Sequence, residues 1–237
     1  MRPDIIAIIP ARGGSKRIPR KNLMPLAGRP LIAHSILHAK EAKCVTDVYV
    51  STDDVEIGAV ARAMGVKVVK RPEELASDTA PSESALLHVL DARRETGTPD
   101  PDLIVFLQCT CPVRRPDDVD RAVDALQKSG ADSLLSGCRE TPFIWRVDER
   151  GPQSLTYDYR KRIRTQDWQP HYRENGSIYV LKPWILREHN NRLGGKIVVH
   201  EMDFWCSFDI DSMEDANLVQ WILRERDGRA SDVKLRD

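Results

Sequence analysis

Long apolar runs are missing from this 237-residue chain, and so is any excess of charge of one sign. No uninterrupted apolar stretch approaches the ~20 residues that a membrane-spanning helix requires, so we expect no membrane partner. Lys plus Arg and Asp plus Glu number 36 each, which leaves no net field to favour nucleic acid. Any recognition of an anion must therefore come from a local concentration of basic residues.

Cysteines are few, scattered and odd in number, with five in the whole chain. The pair around Thr110, Cys109 and Cys111, lacks the spacing of a zinc knuckle. The N-terminal apolar run is short and leads straight into Arg12, unlike a signal peptide. These absences predict reduced thiols in a cytoplasmic protein.

The stretch from Asp4 to Asn22 organises the rest of the chain. An apolar run of strand length, IIAII, ends at Pro10, and a loop with adjacent glycines follows. We call residues 11–22 the basic loop, because it carries three arginines and two lysines and no acid lies between Asp4 and Glu41. A buried strand that leads into a flexible cationic loop is a common way for an α/β protein to bind a polyphosphate. The spacing fits neither a Walker A loop nor GxGxxG, and a solvated surface loop is the alternative.

Strand and helix patterns alternate from residue 5 to residue 138, which predicts right-handed βαβ units and a mainly parallel sheet with helices on both faces. Ligands bind beyond the carboxyl ends of such strands, where the basic loop, the Thr52-Asp53 turn and the Gln108–Thr110 turn would meet. The long polar loop 71–82 is expected to be functional or mobile. Ser82, at its end, is placed to cap the following helix.

The alternation stops after Thr141. Residues 142–172 hold six aromatic residues among many charges and no clear helix, so we predict an irregular β-rich insertion that forms a subunit interface. A satellite cluster packed on its own domain is the alternative. The predicted domains are therefore a main domain of residues 1–140 and 173–237 and a dimerisation insertion of residues 141–172.

Asp209 and Asp211 lie at the end of a predicted strand from Trp205 to Ile210, where the i, i+2 spacing puts both carboxylates on one face. Such a pair suits Mg²⁺, which also takes phosphate oxygens, and should bind it only weakly without a nucleotide. Alone, the pair would more often be a solvated turn. Polar side chains in the second half of the chain are candidates for recognising a polyhydroxylated, anionic partner, namely Arg164, Gln166, Arg173, Asn175 and Tyr179.

Six motifs, in order, resemble the CMP-sialic acid synthetase family, the acylneuraminate cytidylyltransferases. They span nearly the whole chain, and together they are far more specific than any one alone: IPARGGSKRIPRKN from Ile9, STDD from Ser51, RPEELASDTAPS from Arg71, LQCTCPVR from Leu107, YRENGSIYV from Tyr172 and FDIDSMEDANL from Phe208.

This resemblance implies a Rossmann-like transferase that is a homodimer, with CTP as donor, Mg²⁺ as cofactor and a nine-carbon α-keto acid sugar as acceptor. By motif position, the nucleotide would be held by Arg12, Lys16, Lys21, Asn22 and Ser82. Gln108 and Tyr179 would line the sugar site. Thr110, Arg164, Arg173 and Asn175 are further candidates for binding the sugar. Arg12, Lys16 and Lys21 would offset the charge of the leaving pyrophosphate, and Asp209 and Asp211 would hold the metal. We expect replacement of Lys21 to remove most activity without disturbing a core.

One departure and three alternatives remain. The family often has QPTSP where this chain has Gln108-Cys109-Thr110-Cys111-Pro112, and exchange of serine for cysteine removes a good hydrogen-bond partner. No side chain stands out as a general base, so metal activation of the acceptor hydroxyl is the working hypothesis. The alternatives are an eight-carbon (Kdo) cytidylyltransferase, an aspartate-nucleophile phosphatase and a non-catalytic nucleotide-binding regulator. A phosphatase is disfavoured because its DxD would follow the first strand.

Overall fold

The computed structural model describes residues 2–140 and 143–232, with side chains as far as residue 226. Within them the strands are β1 (Ile5–Pro10), β2 (Pro25–Leu26), β3 (Arg29–Pro30), β4 (Asp47–Thr52), β5 (Lys67–Lys70), β6 (Leu103–Leu107), β7 (Ser133–Glu140), β8 (Trp145–Asp148), β9 (Gly151–Ser154), β10 (His171–Leu181) and β11 (Ile197–Met202). The α-helices are α1 (Leu31–Glu41), α2 (Val55–Ala63), α3 (Ser82–Glu95), α4 (Asp118–Ser129), α5 (Pro183–His189) and α6 (Met213–Asp232).

Seven strands form one central sheet in the order β11-β7-β10-β6-β1-β4-β5. Neighbours are parallel except at β10, which runs antiparallel between β6 and β7. The predicted mainly parallel, Rossmann-like α/β sheet is therefore confirmed. Because the other six strands share one direction, their carboxyl ends lie along a single edge, where the amino end of β10 joins them.

Both faces of the sheet are covered, as an apolar run such as β1 requires. Ile5, Ala7 and Ile9 pack into the larger core cluster, whereas Ile6 and Ile8 face the smaller cluster on the opposite side. The larger cluster is completed by α1, α2, α4 and α6, and the smaller by α3 and α5. Because helices cover both faces, a site can form at the carboxyl edge of the sheet, where the loops lie.

The strand predicted from Trp205 to Ile210 is wrong. Residues Phe204–Ser207 form a 3₁₀ turn, closed by a bond from the Cys206 N–H to the Asp203 carbonyl, and the chain then runs to α6 without strand pairing. The carboxylate of Asp203 accepts hydrogen bonds from Nε and Nη2 of Arg115, at 2.6 and 2.7 Å. This anchor favours a turn over the β propensity of the aromatic residues.

Helices α3 and α6 begin in different ways, and the cap predicted for α3 is wrong. Ser82 does not cap α3, because Pro81 occupies the N-cap and Ser82 is already helical. At α6 a capping box forms, since Ser212 Oγ accepts from the Asp215 N–H and Asp215 Oδ2 accepts from the Ser212 N–H. The segment before α6, which contains Asp209 and Asp211, is thus fixed at its carboxyl end.

The insertion is a small hairpin of β8 and β9 followed by two 3₁₀ turns, and we call residues 143–172 the arm. Its rings pack on one another, for example Phe143 on Tyr157 at 4.9 Å and on Trp168 at 5.3 Å between centroids. Val147 nevertheless stays 77% exposed. The start of the predicted insertion, residues 141 and 142, lies outside the described residues. In the described part of the chain no helix is long and apolar enough to cross a membrane.

Candidate active site

A cleft of about 520 Å³ opens at the carboxyl edge of the sheet, between the basic loop, loop 71–82 and the turn after β6. Its basic and acidic lining residues are Arg12, Lys16, Arg17, Lys21, Arg71, Asp78 and Asp211. Asn22, Ser82, Phe106, Gln108 and Thr110 also line it. Five cations against two carboxylates give this cleft a local positive charge, although the whole chain is neutral.

Loop 71–82 covers one side of the basic loop through Asp78. The carboxylate lies 3.0 Å from Arg12 Nη2 and 2.8 Å from Lys16 Nζ. Arg12 Nη1 also donates to the Ser77 carbonyl at 2.8 Å. The hydrogen bond from Lys16 and the charge of Lys16, followed by the charge of Arg12, hold the pKa of Asp78 below its usual value. Arg12 and Lys16 therefore share a single carboxylate of the same chain, which leaves positive charge in excess here.

Asp211 likewise pairs with two cations, on the other side of the basic loop. Its Oδ2 lies 2.5 Å from Arg17 Nη1, and its Oδ1 lies 3.4 Å from Lys21 Nζ. Lys21 Nζ also donates to the Ile210 carbonyl at 2.7 Å, and its side chain is only 12% exposed. Lys21 thus ties the basic loop to the segment that carries Asp209 and Asp211, 188 to 190 residues away along the chain.

The backbone of the basic loop is held by neighbouring polar groups. Asn22, which is buried, donates from Nδ2 to the Arg12 carbonyl at 3.0 Å, and Asp53 Oδ1 accepts from the Gly13 N–H at 3.0 Å. Asn22 therefore shapes the loop through Arg12 as well as lining the cleft. Arg20 points elsewhere, toward Glu56 at 3.0 Å.

The turn after β6 forms the opposite wall. The Thr110 carbonyl accepts from the Ile210 N–H at 2.9 Å, which joins this turn to the Asp209–Asp211 segment. Phe106, on the same wall, stacks on Tyr179 with centroids 5.4 Å apart, and Arg192 lies 5.0 Å from both rings. Tyr179 is buried and donates to Glu174; burial and this bond raise its pKa. Tyr179 supports the cleft from behind Phe106 and is not itself a lining residue.

Besides Tyr179, three more predicted sugar-binding residues do not line the cleft of their own chain. Arg164 lies in the arm, 79% exposed, beside Asp167, and Arg173 lies beside Glu140. The Asn175 amide is buried and donates to the Cys206 carbonyl at 2.9 Å while accepting from Ser136 Oγ at 2.6 Å. Asn175 braces β10 in this arrangement, and substrate roles for the three stay predictions.

Asp209 and Asp211 flank Ile210 on an irregular segment, so the expectation that a strand places them on one face is wrong. Asp209 is exposed, with Cys111 Sγ 3.6 Å from its Oδ1. In the described part of the chain, no group of three or more His, Cys, Asp or Glu side chains is arranged as a metal site. Two carboxylates nevertheless fit Mg²⁺, which keeps waters and takes phosphate oxygens for the rest of its shell.

The two cysteines that depart from the family motif are inert thiols. Cys111 Sγ donates to the Asn175 carbonyl at 2.9 Å, and burial raises its pKa to about 12. Burial likewise raises the pKa of Cys109 to about 12, within the larger core cluster. Position 111 therefore keeps a hydrogen-bond donor despite the missing serine.

The sequence motif contained two cleft residues that we did not single out, Arg71 and Asp78. Arg71 is buried, and its guanidinium donates to Ser51 through Nε at 3.1 Å and through Nη2 to the carbonyl at 2.6 Å. Burial lowers the pKa of Arg71. An arginine at the start of a long polar loop was the available signal, but its partner lies 20 residues away on β4.

Comparison with known proteins gives consistent results. A sequence model of the family described as "Cytidylyltransferase" matches residues 6–201. The chain is 38% identical over 211 residues to "N-acylneuraminate cytidylyltransferase A" of Danio rerio, a match that covers 87% of this chain and 48% of the relative. It is 35% identical over 182 residues to "CMP-N,N'-diacetyllegionaminic acid synthase" of Legionella pneumophila, with 74% and 77% covered.

The chain spans about half the length of the first of these relatives. Among solved structures, it resembles a CMP:2-keto-3-deoxy-manno-octonic acid synthetase complexed with CTP, with a TM-score of 0.71 at 18% identity. That match covers 94% of this chain and 99% of the other, and it shows that the two share a fold.

Proposed function

Because the chain belongs to the cytidylyltransferase family, we propose that it transfers a cytidylyl group from CTP to an acidic sugar, with release of pyrophosphate. The observation that carries the proposal is the excess of cations in the cleft, five against two carboxylates. A triphosphate supplies the missing negative charge, and the cleft lies at the sheet edge where α/β proteins bind nucleotides. A phosphatase would need an aspartate nucleophile after β1, where this chain has Ala11 and Arg12.

We propose a nine-carbon α-keto acid sugar of the sialic acid type as acceptor. The names of the relatives support this class, since they specify N-acylneuraminate and N,N'-diacetyllegionaminic acid. Gln108 and Thr110 line the wall opposite the basic loop and offer a carboxamide and a hydroxyl. These groups both donate and accept hydrogen bonds, which suits a polyhydroxylated acid.

The reaction follows from charge and position. The anomeric hydroxyl of the sugar attacks the α-phosphorus in line. The bond between the α-phosphorus and the oxygen that bridges it to the β-phosphate breaks, and pyrophosphate leaves. Arg12, Lys16 and Lys21 hold the phosphates and offset the charge that develops on the leaving pyrophosphate. Phosphate oxygens would replace Asp78 and Asp211 as the partners of these cations, so binding exchanges one set of ion pairs for another.

We propose Mg²⁺ as the cofactor, held by Asp209 and by Asp211. When bound, the ion would neutralise phosphate charge and lower the pKa of the attacking hydroxyl. The exchange described above supports this assignment, since a phosphate that pairs with Arg17 and Lys21 leaves Asp211 free to coordinate. The hydrogen bond between Thr110 and Ile210 keeps both carboxylates next to the acceptor wall.

We further propose a two-fold homodimer built by the arm. The arm exposes Ile144, Trp145, Val147, Leu155, Tyr159 and Ile163. A single copy leaves this surface open, whereas a second copy would bury it. A substrate role for Arg164 requires that the arm of the second copy reach the cleft, because Arg164 does not line the cleft of its own chain. We place the protein in the cytoplasm, where its five free thiols stay reduced.

A panel of purified keto acid sugars with CTP and Mg²⁺, followed by pyrophosphate release, tests the activity. The panel holds N-acetylneuraminate, N,N'-diacetyllegionaminate and the eight-carbon acid as competitor. We expect turnover with a nine-carbon acid and little with the eight-carbon acid. CTP binding without turnover on any member would support a nucleotide-binding regulator instead.

A further inference from the structure

Gly176 follows Asn175 in the sequence motif YRENGSIYV and has no role in the reaction proposed above. Gly176 lies in the middle of β10, where the pairing with β7 shifts register between Glu174 and Tyr179. Its φ is +66°, in the left-handed region. A Cβ at this position would lie 2.5 Å from Gln108 Oε1 and 3.5 Å from Cys111 Sγ. The side-chain amide of Gln108 therefore lies directly against the bare Cα of Gly176.

Both sides of this contact are fixed. The Gln108 carbonyl accepts from Arg114 Nη2 at 2.9 Å, and the same buried guanidinium donates to the Ser177 carbonyl at 2.9 Å. Asn175 ties the irregular part of β10 to β7 through Ser136. The backbone of Gly176 is thus a rigid surface, and the backbone of Gln108 is rigidly placed beside it.

We propose that Gly176 is a positioning residue that sets the carboxamide of Gln108 for the acidic sugar acceptor. This proposal rests on the proposed function and adds a determinant of acceptor binding to it. A side chain at residue 176 would displace Gln108 Oε1 by about 0.9 Å, the difference between 2.5 Å and ordinary contact at 3.4 Å. Since Oε1 is the end of a flexible side chain, the amide would move and the strand would stay, so acceptor binding would weaken more than folding.

The test is a double-mutant cycle of Gly176→Ala and Gln108→Ala, with N-acetylneuraminate as acceptor. Each single change should raise the acceptor KM about tenfold, the effect of a misplaced hydrogen bond to a substrate, and leave the KM for CTP within about twofold. Once Gln108 is alanine, Gly176→Ala should have little further effect on the acceptor KM. Additive effects, or an unchanged acceptor KM in Gly176→Ala, would overturn the proposal.

Gly130→Ala is the matched control. Gly130 has a φ of +62° at the end of α4, and no atom lies within 4 Å of a Cβ built there. It carries the same backbone strain without the neighbour, so its melting temperature should fall as in Gly176→Ala while its acceptor KM stays unchanged. A raised acceptor KM in Gly130→Ala would show that strain alone explains the effect.

A crystal structure of Gly176→Ala gives a readout that does not depend on activity. We expect the Gln108 amide to be displaced and β10 to be unchanged; an undisplaced amide would contradict the proposal even if no panel sugar reacts. Wild-type turnover establishes the proposed function by itself, so failure of the cycle would concern Gly176 only.

Discussion

Replacement of Lys21 by methionine tests the basic loop most sharply, because it removes the charge and keeps the apolar stem. Lys21 is the least exposed loop lysine, and its Nζ contacts the Ile210 carbonyl at 2.7 Å and Asp211 Oδ1 at 3.4 Å. The structure thus gives Lys21 two tasks, since it lines the cleft and also anchors the Asp209–Asp211 segment. The expectation that its loss leaves folding untouched is accordingly revised.

Each of the two roles of Lys21 predicts an effect, one on the free energy of unfolding and one on kcat. Loss of one charge-assisted hydrogen bond in a largely buried place costs about 1.5 kcal/mol of unfolding free energy, which lowers the melting temperature by about 3–6 °C in a chain of this size. Loss of one positive charge at the departing pyrophosphate costs about 100- to 1,000-fold in kcat, as for other preorganised donors. The effect on turnover should therefore far exceed the effect on the folded fraction.

Pyrophosphate release per folded molecule, measured beside a thermal melt, separates these effects. Arg20→Met is the matched control, since Arg20 is the adjacent loop cation but pairs with Glu56 and does not line the cleft. Its turnover should stay within about threefold of wild type, as for an exposed ion pair. Wild-type turnover in Lys21→Met, or an equal loss in Arg20→Met, would refute the assignment.

Three further predictions follow from other parts of the structure. Asp209→Asn and Asp211→Asn should each lower turnover about 100-fold and shift the Mg²⁺ titration, whereas a purely structural pair would lower the melting point and keep turnover per folded molecule. Burial lowers the pKa of His38 from 6.5 to about 3, so below pH 6.5 the unfolded chain binds a proton that the folded chain does not bind. The free energy of unfolding should therefore fall as pH drops below 6.5, by ~2 kcal/mol at pH 5. Urea titrations of His38→Gln should lack this part of the loss. Trp145→Ser together with Val147→Ser should convert a dimer into a monomer in light scattering at micromolar concentration, and a wild type that is already a fully active monomer would remove the dimer proposal.

The first half of the fold could be predicted because local patterns and tertiary structure agree there. The alternation of Ile5 to Ile9 buries both faces of β1, and α1, α2 and α4 each present one apolar stripe. Met213, by contrast, is apolar and lies in the first turn of α6, yet it is 52% exposed, because the buried stripe of this helix begins only at Ala216. The periodicity of apolar residues therefore predicts which face of a helix is buried better than it predicts where the buried face begins.

The second half of the fold depends on contacts that are distant in sequence. The turn at Phe204–Ser207 is stabilised by the Arg115–Asp203 pair, 88 residues apart, which no local pattern reveals. The direction of β10 likewise depends on its insertion between β6 and β7. The candidate site was easier to locate than to resolve, since the lining role of Arg12, Lys21 and Gln108 followed from motif order, whereas the pairing of Asp78 with Arg12 required the placement of a loop.

The most direct test of the account is the fate of the α-phosphate. CTP labelled at the α-phosphorus, incubated with the wild-type protein, Mg²⁺ and N-acetylneuraminate or N,N'-diacetyllegionaminate, should give a CMP-sugar that carries the label and one unlabelled pyrophosphate per product. Label recovered as free CMP without a sugar adduct, or unchanged CTP with every acid sugar in the panel, would contradict cytidylyl transfer.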